Sequence, residues 1–524
     1  MPHEVVDSAG PTGIGWAREF EMRAHRSRAR RKRRALTAVF LLAFSSVFSS
    51  VRAQAQQASP APISSPDVER SGYPETLPGL VRVPGGWTAV TVGARARKTS
   101  FDVAAKQASL RAAEARVAGA LVAFFPRLSG LGGYTRYQDL TQPSLGTLVQ
   151  PTTPVPAGPI LATTPLSAIP LTIPIPLNYW VVQATLSIPL SDYVLRLAQQ
   201  YGAARRNADM ARLDRLASEA TACSDAKLTF YQYVKAVAQS DVLVQAKAVA
   251  EAHLQDAQNL FRVGRGSNAD ALAAAATVAA AQLAIDQATE MVGVAEEQLR
   301  LAMHASPSEP VSIGEDVTGA MPHEAYDVVA LQQEAAANRP EIQSLSSGAA
   351  AQDQLAASAR GAQWPLVSAF GDYVYANPSP RIFIPEQQFV GYWDVGVRAT
   401  WAVNDVFTGA AAGADQQAQA AALRAQSAKV RDAVFAEVTQ AVLAMRTADS
   451  SIESSNAQAR SAEEAYSARR DLFRFGKGTS VELADAEANL FQARLAAVSA
   501  RIDQRTARVR VDHATGRDVT RGTS

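Results

Sequence analysis

The sequence predicts a mixed α and β membrane protein that contains two copies of one unit: a helix, two strands, a long helix and a returning helix. Three observations predict this fold. They are a secretion signal at the N-terminus, short motifs that recur 212 to 239 positions apart, and helical stretches longer than a globular domain needs. With 524 residues, the chain has room for such an elongated repeat.

The N-terminal segment has the layout of a signal peptide. The basic cluster "RARRKRR" (28–34) precedes the apolar run "ALTAVFLLAFSSVFSSV" (35–51), and "AQA" (53–55) is typical of a cleavage site. We therefore predict a signal peptide over 1–55, with Met22 as an alternative start. A membrane anchor is the other interpretation, although 17 residues rich in Ser and Ala are marginal for spanning a bilayer.

Removal of the signal changes the charge balance of the chain. Residues 1–55 hold 10 of the 51 Lys and Arg and 4 of the 49 Asp and Glu, which leaves 41 basic and 45 acidic residues. This weakly acidic balance weighs against nucleic acid as a partner. Cys223 is the only cysteine, so an intrachain disulfide is excluded and no cysteine lies at the cleavage site to carry a lipid anchor.

Each half begins with a helical pattern that a proline and glycines end. The pattern of 98–125 stops at "PRLSGLGGY" (126–134), and that of 337–363 stops at "PLVSAFGDY" (365–373). The two segments share Pro, Ser, Gly and Tyr at one offset of 239, which indicates an internal repeat. They predict the first strand of each half.

A second pair of strands is predicted by "VQATLSIPLSD" (182–192) and "VGVRATWAVND" (395–405), at an offset of 213. In the later copy an apolar set alternates with a polar set: Trp393, Val395, Val397, Ala399 and Trp401 with Asp394, Gly396, Arg398 and Thr400. A lipid-facing barrel strand requires this alternation, and a strand of a soluble sandwich has the same period.

The connection between the strands of the first half contains nine prolines between Pro143 and Pro176. Because proline cannot donate a ladder hydrogen bond, we predict an exposed loop without strand pairing in this segment.

Very long helices follow each pair of strands. Between Pro189 and Pro307 there is no proline, and none follows Pro385. The predicted helices run over 192–262, 271–303, 405–474 and 479–510. At about 1.5 Å per residue, the first would be about 100 Å long.

The turns between these helices carry a repeated motif, "LFRVGRGSNAD" (260–270) and "LFRFGKGTSVE" (472–482). Each GxG follows a helix and lacks the GxxxxGK[ST] pattern, which excludes a phosphate-binding loop. The histidines are scattered without a metal-binding or catalytic spacing: His3, His25, His253, His304, His323 and His513. We therefore predict no enzymatic activity, no catalytic residues, and no cofactor or metal site.

The order and spacing of these motifs resemble the TolC-type outer membrane efflux protein family, the outer membrane factor of tripartite efflux and type I secretion systems. The resemblance covers about 98 to 515. It rests on the duplication, "RPE" (339–341), the proline-led first strands, and the turns "FRVG" (261–264) and "FRFG" (473–476). It implies a homotrimer in which three protomers form a 12-stranded β-barrel that continues into a long periplasmic α-helical barrel.

The resemblance also implies a place and partners. The chain would be the outer membrane channel of a Gram-negative bacterium, extending into the periplasm, without a lipid anchor. It would contact outer membrane lipid, a periplasmic adaptor (membrane fusion) protein and an inner-membrane transporter. The predicted segments are the leader 56–97, the repeats 98–315 and 316–515, and the polar tail 516–524. A secreted or periplasmic structural coiled-coil protein without a pore is the alternative.

The turns supply the predicted site. By resemblance, the adaptor contacts are Phe261, Arg262, Val263, Gly264, Phe473, Arg474, Phe475 and Gly476. The predicted pore gate is formed by Glu482, Asp485 and Asp270, whose threefold rings would favour cations. The other interpretations are turn glycines without a partner, and carboxylates that only cap helices. Family members have a Tyr and an Arg that hold the tip shut, where this chain has Phe473 and Gly478, so that lock is absent in its usual form.

Overall fold

The computed structural model describes residues 80–139, 146–152, 154, 159–171, 176–317, 319–322, 324–383 and 386–521. The predicted signal peptide, and the predicted leader up to residue 79, lie outside these residues. The described residues belong to one compact unit, 74–524, in which helices predominate and strands form a smaller part.

The first half has four helices and four strands. In chain order they are α1 (Ala89–Thr99), α2 (Phe101–Val122), β1 (Arg127–Arg136), β2 (Thr147–Pro151), β3 (Leu166–Pro170), β4 (Asn178–Ile188), α3 (Ala198–Arg262) and α4 (Asn268–Met303). A π-helical turn, Tyr193–Leu197, leads directly into α3. Helix α1 begins inside the segment predicted as leader, because the Thr88 hydroxyl accepts a hydrogen bond from the Thr91 N–H (3.2 Å) and caps its N-terminus.

The second half has the same order, without a counterpart of the β2–β3 hairpin in its described residues. Its elements are α5 (Val328–Asn338), α6 (Pro340–Gly361), β5 (Leu366–Asn377), β6 (Val390–Thr400), α7 (Asn404–Arg474), α8 (Ser480–Ala514) and the short α9 (Arg517–Arg521). The predicted sequence of helix, two strands, long helix and returning helix is confirmed in both halves. Helix α7 has 71 residues, which corresponds to about 105 Å.

The proline-rich connection of the first half differs from the prediction. Strands β2 and β3 pair antiparallel, from Thr147 opposite Pro170 to Pro151 opposite Leu166. The prediction of a loop without strand pairing was therefore wrong for these residues. The two prolines end their strands, and both strands are edges of a two-stranded sheet, where proline is tolerated. The exposure predicted for this segment is confirmed, since nearly all of the hairpin is exposed.

The four other strands form one antiparallel sheet in the order β1-β4-β5-β6. Successive rows across it alternate in chemistry. One row consists of Leu128, Leu186, Gly371 and Val395, and the next consists of Ser129, Thr185, Asp372 and Asp394.

One face of this sheet is therefore apolar and the other polar, as the alternation in β6 predicted. The apolar face is open to the surroundings in the protomer, with Trp393, Val395 and Val397 all strongly exposed. A sandwich strand would bury its apolar face against a second sheet. The exposed apolar face favours the barrel interpretation of the pattern.

The largest cluster of buried hydrophobic residues lies where α1, α3 and the end of α4 meet. It includes Phe230 and Val234 of α3, Leu299 and Met303 of α4, and Val92 of α1. A second cluster joins α5, α7 and α8 through Leu331, Val438, Val442, Met445 and Val511, with several alanines beside them. Helix α4 is long and apolar enough to cross a membrane by length and composition, yet only 6% of its most apolar window is buried.

The "RPE" motif connects the C-terminal end of α8 to helices α6 and α7. The buried Arg339 donates from Nη1 to the backbone oxygen of His513 at the end of α8 (2.9 Å) and to Glu437 of α7 (3.2 Å). Its Nε donates to Glu341 (3.1 Å). These bonds satisfy a terminal carbonyl of α8 and hold three helices together at this point.

Candidate functional site

Two turns carry the residues predicted as contacts and gate. Residues 263–267 join α3 to α4 in the first hairpin, and 475–479 join α7 to α8 in the second hairpin. Their backbone hydrogen bonds are the same. Two consecutive N–H groups donate to the oxygen of Leu260 (2.8 and 3.0 Å) in the first turn, and to that of Leu472 (2.9 and 3.1 Å) in the second.

Glycine is required at the equivalent position of each turn. Gly264 has φ +71° and Gly476 has φ +69°, in the left-handed region that other residues adopt only with strain. The predicted role of these glycines in turning the chain is confirmed by this geometry.

Two of the predicted gate carboxylates cap helices. Asp270 accepts a hydrogen bond from the Ser267 N–H (3.3 Å), and Glu482 accepts one from the Thr479 N–H (3.3 Å). Each Ser or Thr hydroxyl in turn accepts a backbone N–H of its helix, which completes a capping box. Glu482 also pairs with Arg469 (3.2 Å), with both side chains about half exposed.

Asp485 differs from the other two carboxylates. It lies one turn further along α8 and is exposed. Within the described part of the chain its carboxylate has no hydrogen bond and no ion pair, whereas Asp270 and Glu482 are both engaged. Of the three, Asp485 is therefore the carboxylate most available to a passing cation.

The residues predicted as adaptor contacts separate into an exposed group and one buried residue. Phe261 (47% exposed), Val263 and Phe475 (72%) present apolar side chains to the surroundings at the ends of the hairpins. Arg262, also exposed, hydrogen-bonds to Asn259 on its own helix.

Phe473 does not share this exposure. It is only 5% exposed and packs with Ala257, Ala271 and Leu483 between the two hairpins. Its ring lies edge-on to the imidazole of His253, with the centroids 5.1 Å apart. Phe473 was predicted as a surface contact, and its burial does not agree with that prediction. The ring instead supports the exposed turn from within.

A direct ion pair joins the two hairpins near the turns. Arg474 Nε donates to Asp256 Oδ2 (2.7 Å), linking the end of α7 to α3. This hydrogen bond raises the pKa of the Arg474 guanidinium above its ordinary value. Phe473 and Gly478 stand where the resemblance led us to expect a Tyr and an Arg, and the Arg474–Asp256 pair is a direct link between the two hairpins.

Sequence reasoning missed a polar group between the hairpins. The buried His253 of α3 contacts Glu487 and Ser480 of α8. His253 and Glu487 are 234 positions apart, so no spacing rule connects them. A histidine within an alanine-rich helix was the only local signal. Among the residues that the structure describes, no group of three or more His, Cys, Asp or Glu could hold a metal ion.

Comparison with a family model extends these findings. The model described as outer membrane efflux protein matches residues 92–304 and 331–517. The two matched segments correspond to the two halves of the fold, from α1 to α4 and from α5 to α9. Comparison with curated protein sequences gives no significant match.

Solved structures with the same fold are outer membrane proteins. CusC shares 15% identity and a TM-score of 0.66, over 82% of this chain and 92% of that chain. The outer-membrane channel OprN shares 17% identity and a TM-score of 0.64, over 86% and 97%. VceC from Vibrio cholerae shares 14% identity and a TM-score of 0.64, over 82% and 96%.

The duplication, the two-faced sheet and the paired hairpins agree with the family model, which covers both halves of the chain. The chain belongs to the outer membrane efflux protein family.

Proposed function

We propose that three copies of this chain form one channel across the outer membrane and periplasm, as the outer membrane component of a tripartite efflux or type I secretion system. The observation that carries the proposal is the four-stranded sheet with an exposed apolar face and two unpaired edges, β1 and β6. The pore-free coiled-coil alternative does not account for such a sheet.

The sheet is too small to stand alone in a membrane. Four strands cannot close a barrel, and their free edges would leave backbone groups without hydrogen bonds in lipid. Pairing of β6 with β1 of the next copy removes both edges, and three copies give 12 strands. The apolar rows then face lipid, and the polar rows, including Asp372 and Asp394, face the lumen.

The helices support the same assembly. Phe473 is covered because the first hairpin lies beside it, whereas the equivalent Phe261 lies at an open edge. A neighbouring copy placed there would cover Phe261 and the exposed apolar side chains of α4, such as Leu283 and Met291. Three copies would thus supply six alternating hairpins to a helical barrel.

The hairpin turns are the proposed contacts for a periplasmic adaptor that connects the channel to an inner-membrane transporter. Val263 and Phe475 form the apolar part of this surface, with Arg262 and Arg474 beside them, and Phe261 borders it at the contact with the neighbouring copy. Gly264 and Gly476 set the turn, and Phe473 supports it from within. Selectivity for substrate would lie with the transporter.

The proposed gate is a set of carboxylate rings just behind the turns. Threefold repetition would place three copies of Asp485, Glu482 and Asp270 around the pore. Such rings favour cations and are blocked by multivalent ones. Because Asp485 alone is free of internal partners, we propose it as the principal cation ligand of the gate.

Insertion and conductance test the channel. Purified full-length protein should form trimers in detergent and give discrete conductance steps in a planar lipid bilayer. Val395→Arg places a charge on the proposed lipid face, where it costs about 2–4 kcal/mol at mid-membrane, and should abolish insertion. Asp394→Arg, on the adjacent polar face, is the matched control and should insert. A folded oligomer without conductance would contradict the proposal.

A further inference from the structure

His253 lies between the two hairpins and joins them through both ring nitrogens. Its Nδ1 is 3.1 Å from Glu487 Oε2, and its Nε2 is 3.2 Å from Ser480 Oγ. Histidine and serine are both buried, and the ring also packs on Phe473. One side chain of the first hairpin thus contacts both helices of the second.

Burial of the Glu487 carboxylate is energetically unfavourable. Its side chain is only 10% exposed. Its second oxygen, Oε1, has no hydrogen-bond partner among the described residues. A buried carboxylate with one open oxygen is poorly compensated unless a positive charge lies beside it. A protonated His253 supplies that charge at Oε2.

The packing beside Glu487 is loose. A cavity of about 250 Å³ lies between α3, α4 and α8, and Glu487 is part of its wall together with apolar residues such as Val242, Leu490 and Phe491. The two hairpins therefore do not interlock there through side-chain packing alone. The polar contact of His253 adds to the attachment at this level.

Other titratable and charged groups face the pair from the helices packed against it. They are Tyr466, Arg470, Arg474 and Glu463 from α7, Arg494 from α8 and Asp256 from α3. Burial, followed by the charge of Glu487, raises the pKa of Tyr466, which stays neutral. Helix α4 contributes only alanine side chains, Ala271 and Ala274, to this cluster.

We propose that His253 and Glu487 form a proton-operated latch between the hairpins, tightened by acid and loosened as the pH rises. This inference rests on the proposed channel function and adds to it that the turns separate when the pore widens. A protonated imidazole donates from both nitrogens, which matches the carboxylate of Glu487 and the hydroxyl oxygen of Ser480.

The direction of the effect follows from charge. When the imidazole is protonated the contact is an ion pair, and proton binding and hairpin contact favour each other. A neutral imidazole leaves the Glu487 charge uncompensated and the contact weakens. Histidine changes charge between about pH 5 and 8, so the latch should release across that window.

Conductance measures the latch in the assembled channel. In the unmodified protein, the open probability should rise about tenfold from pH 5.5 to pH 8, the factor that one charge-assisted hydrogen bond supplies. His253→Gln keeps a polar side chain that cannot titrate and should reduce this change to less than about twofold. An unchanged pH response in this variant overturns the inference.

His513→Gln is the matched control. His513 also pairs with a carboxylate, Asp518 (2.8 Å), but at the opposite end of α8. It should leave the pH response intact. Absence of conductance from every folded variant, and from the unmodified trimer, would contradict the channel proposal itself and is thus distinguishable from failure of the latch.

A distance measurement tests the latch without conductance. Spin labels at Arg265→Cys and Lys477→Cys, in a Cys223→Ser background, report the separation of the two turns within each copy. The separation should increase from pH 5.5 to pH 8 and should not change with pH when His253→Gln is added. An equal pH response with and without His253 overturns the inference, whatever the conductance shows.

Discussion

The two hairpin turns have almost the same sequence and the same backbone, yet they have different surroundings. Phe261 and Phe473 are equivalent in the repeat, and one is 47% exposed while the other is 5% exposed. The difference arises from neighbours, because the second hairpin packs on the first and the first has an open side. A repeated motif thus supplies the turn, and the position of that turn in the assembly decides its role.

The polar groups make the two hairpins still less alike. At the repeat offset of 212, His253 corresponds to Ala465 and Glu487 to Ala275. The buried pair therefore exists only at the contact between the hairpins of one protomer. The repeat supplies two equal turns. His253 and Glu487, where the other copy has alanine, make one contact between hairpins sensitive to protons.

The largest expected effect is at the buried aromatic residue. Phe473→Ala removes a ring packed between the hairpins and should destabilise them locally by about 3–5 kcal/mol. Hydrogen exchange of the α3 and α7 amides near the turns measures this loss. Phe475→Ala is the control two residues away: it should change local stability by less than about 0.5 kcal/mol and instead weaken adaptor binding. Equal destabilisation by both variants would contradict the assignment.

Substitution of the two glycines tests whether the backbones of the two turns are equivalent. Gly264→Ala and Gly476→Ala each place a side chain at positive φ and should cost about 1–2 kcal/mol. Because the two turns have the same backbone, the two losses should be equal, as measured by thermal dissociation of the trimer. A loss confined to one glycine would show that the backbones differ in the assembled protein.

The proposed gate carboxylates differ in their hydrogen-bond and ion-pair partners. Asp485→Asn should weaken channel block by divalent cations by about tenfold, which corresponds to about 1.4 kcal/mol, and leave stability unchanged. Glu482→Gln removes an engaged carboxylate, so it should mainly weaken the cap of α8 and have a smaller effect on block. Titration of channel current with a divalent cation distinguishes them. Stronger relief of block in Glu482→Gln would reverse the assignment.

The smallest effect is expected at the ion pair between the hairpins. Arg474→Gln removes the bond to Asp256, and because the arginine is about half exposed the loss should be about 0.2–1 kcal/mol. High salt should reduce the difference from the unmodified protein. Leakage of current through the closed channel gives the readout, and a loss as large as that of Phe473→Ala would make this pair the principal lock.

Local patterns predicted most of the secondary structure. The proline-free runs predicted the long helices, and the alternation in β6 predicted a sheet with two chemically different faces. Proline and glycine spacing located the turns and the duplication. The error over β2 and β3 came from counting prolines without their positions, since Pro151 and Pro170 end their strands. These features depend on neighbouring residues and are readable along the chain.

The surroundings of the proposed functional residues depend on the tertiary structure. Short spacings along the chain predicted the family, the repeat, the turn geometry and the acidic residues behind each turn. The packing of the helices was needed to show that Phe473 is buried and Phe261 open, that Asp485 has no partner among the described residues, and that His253 contacts Glu487. Those properties depend on which helices pack together, and residues 234 positions apart meet only when the hairpins do.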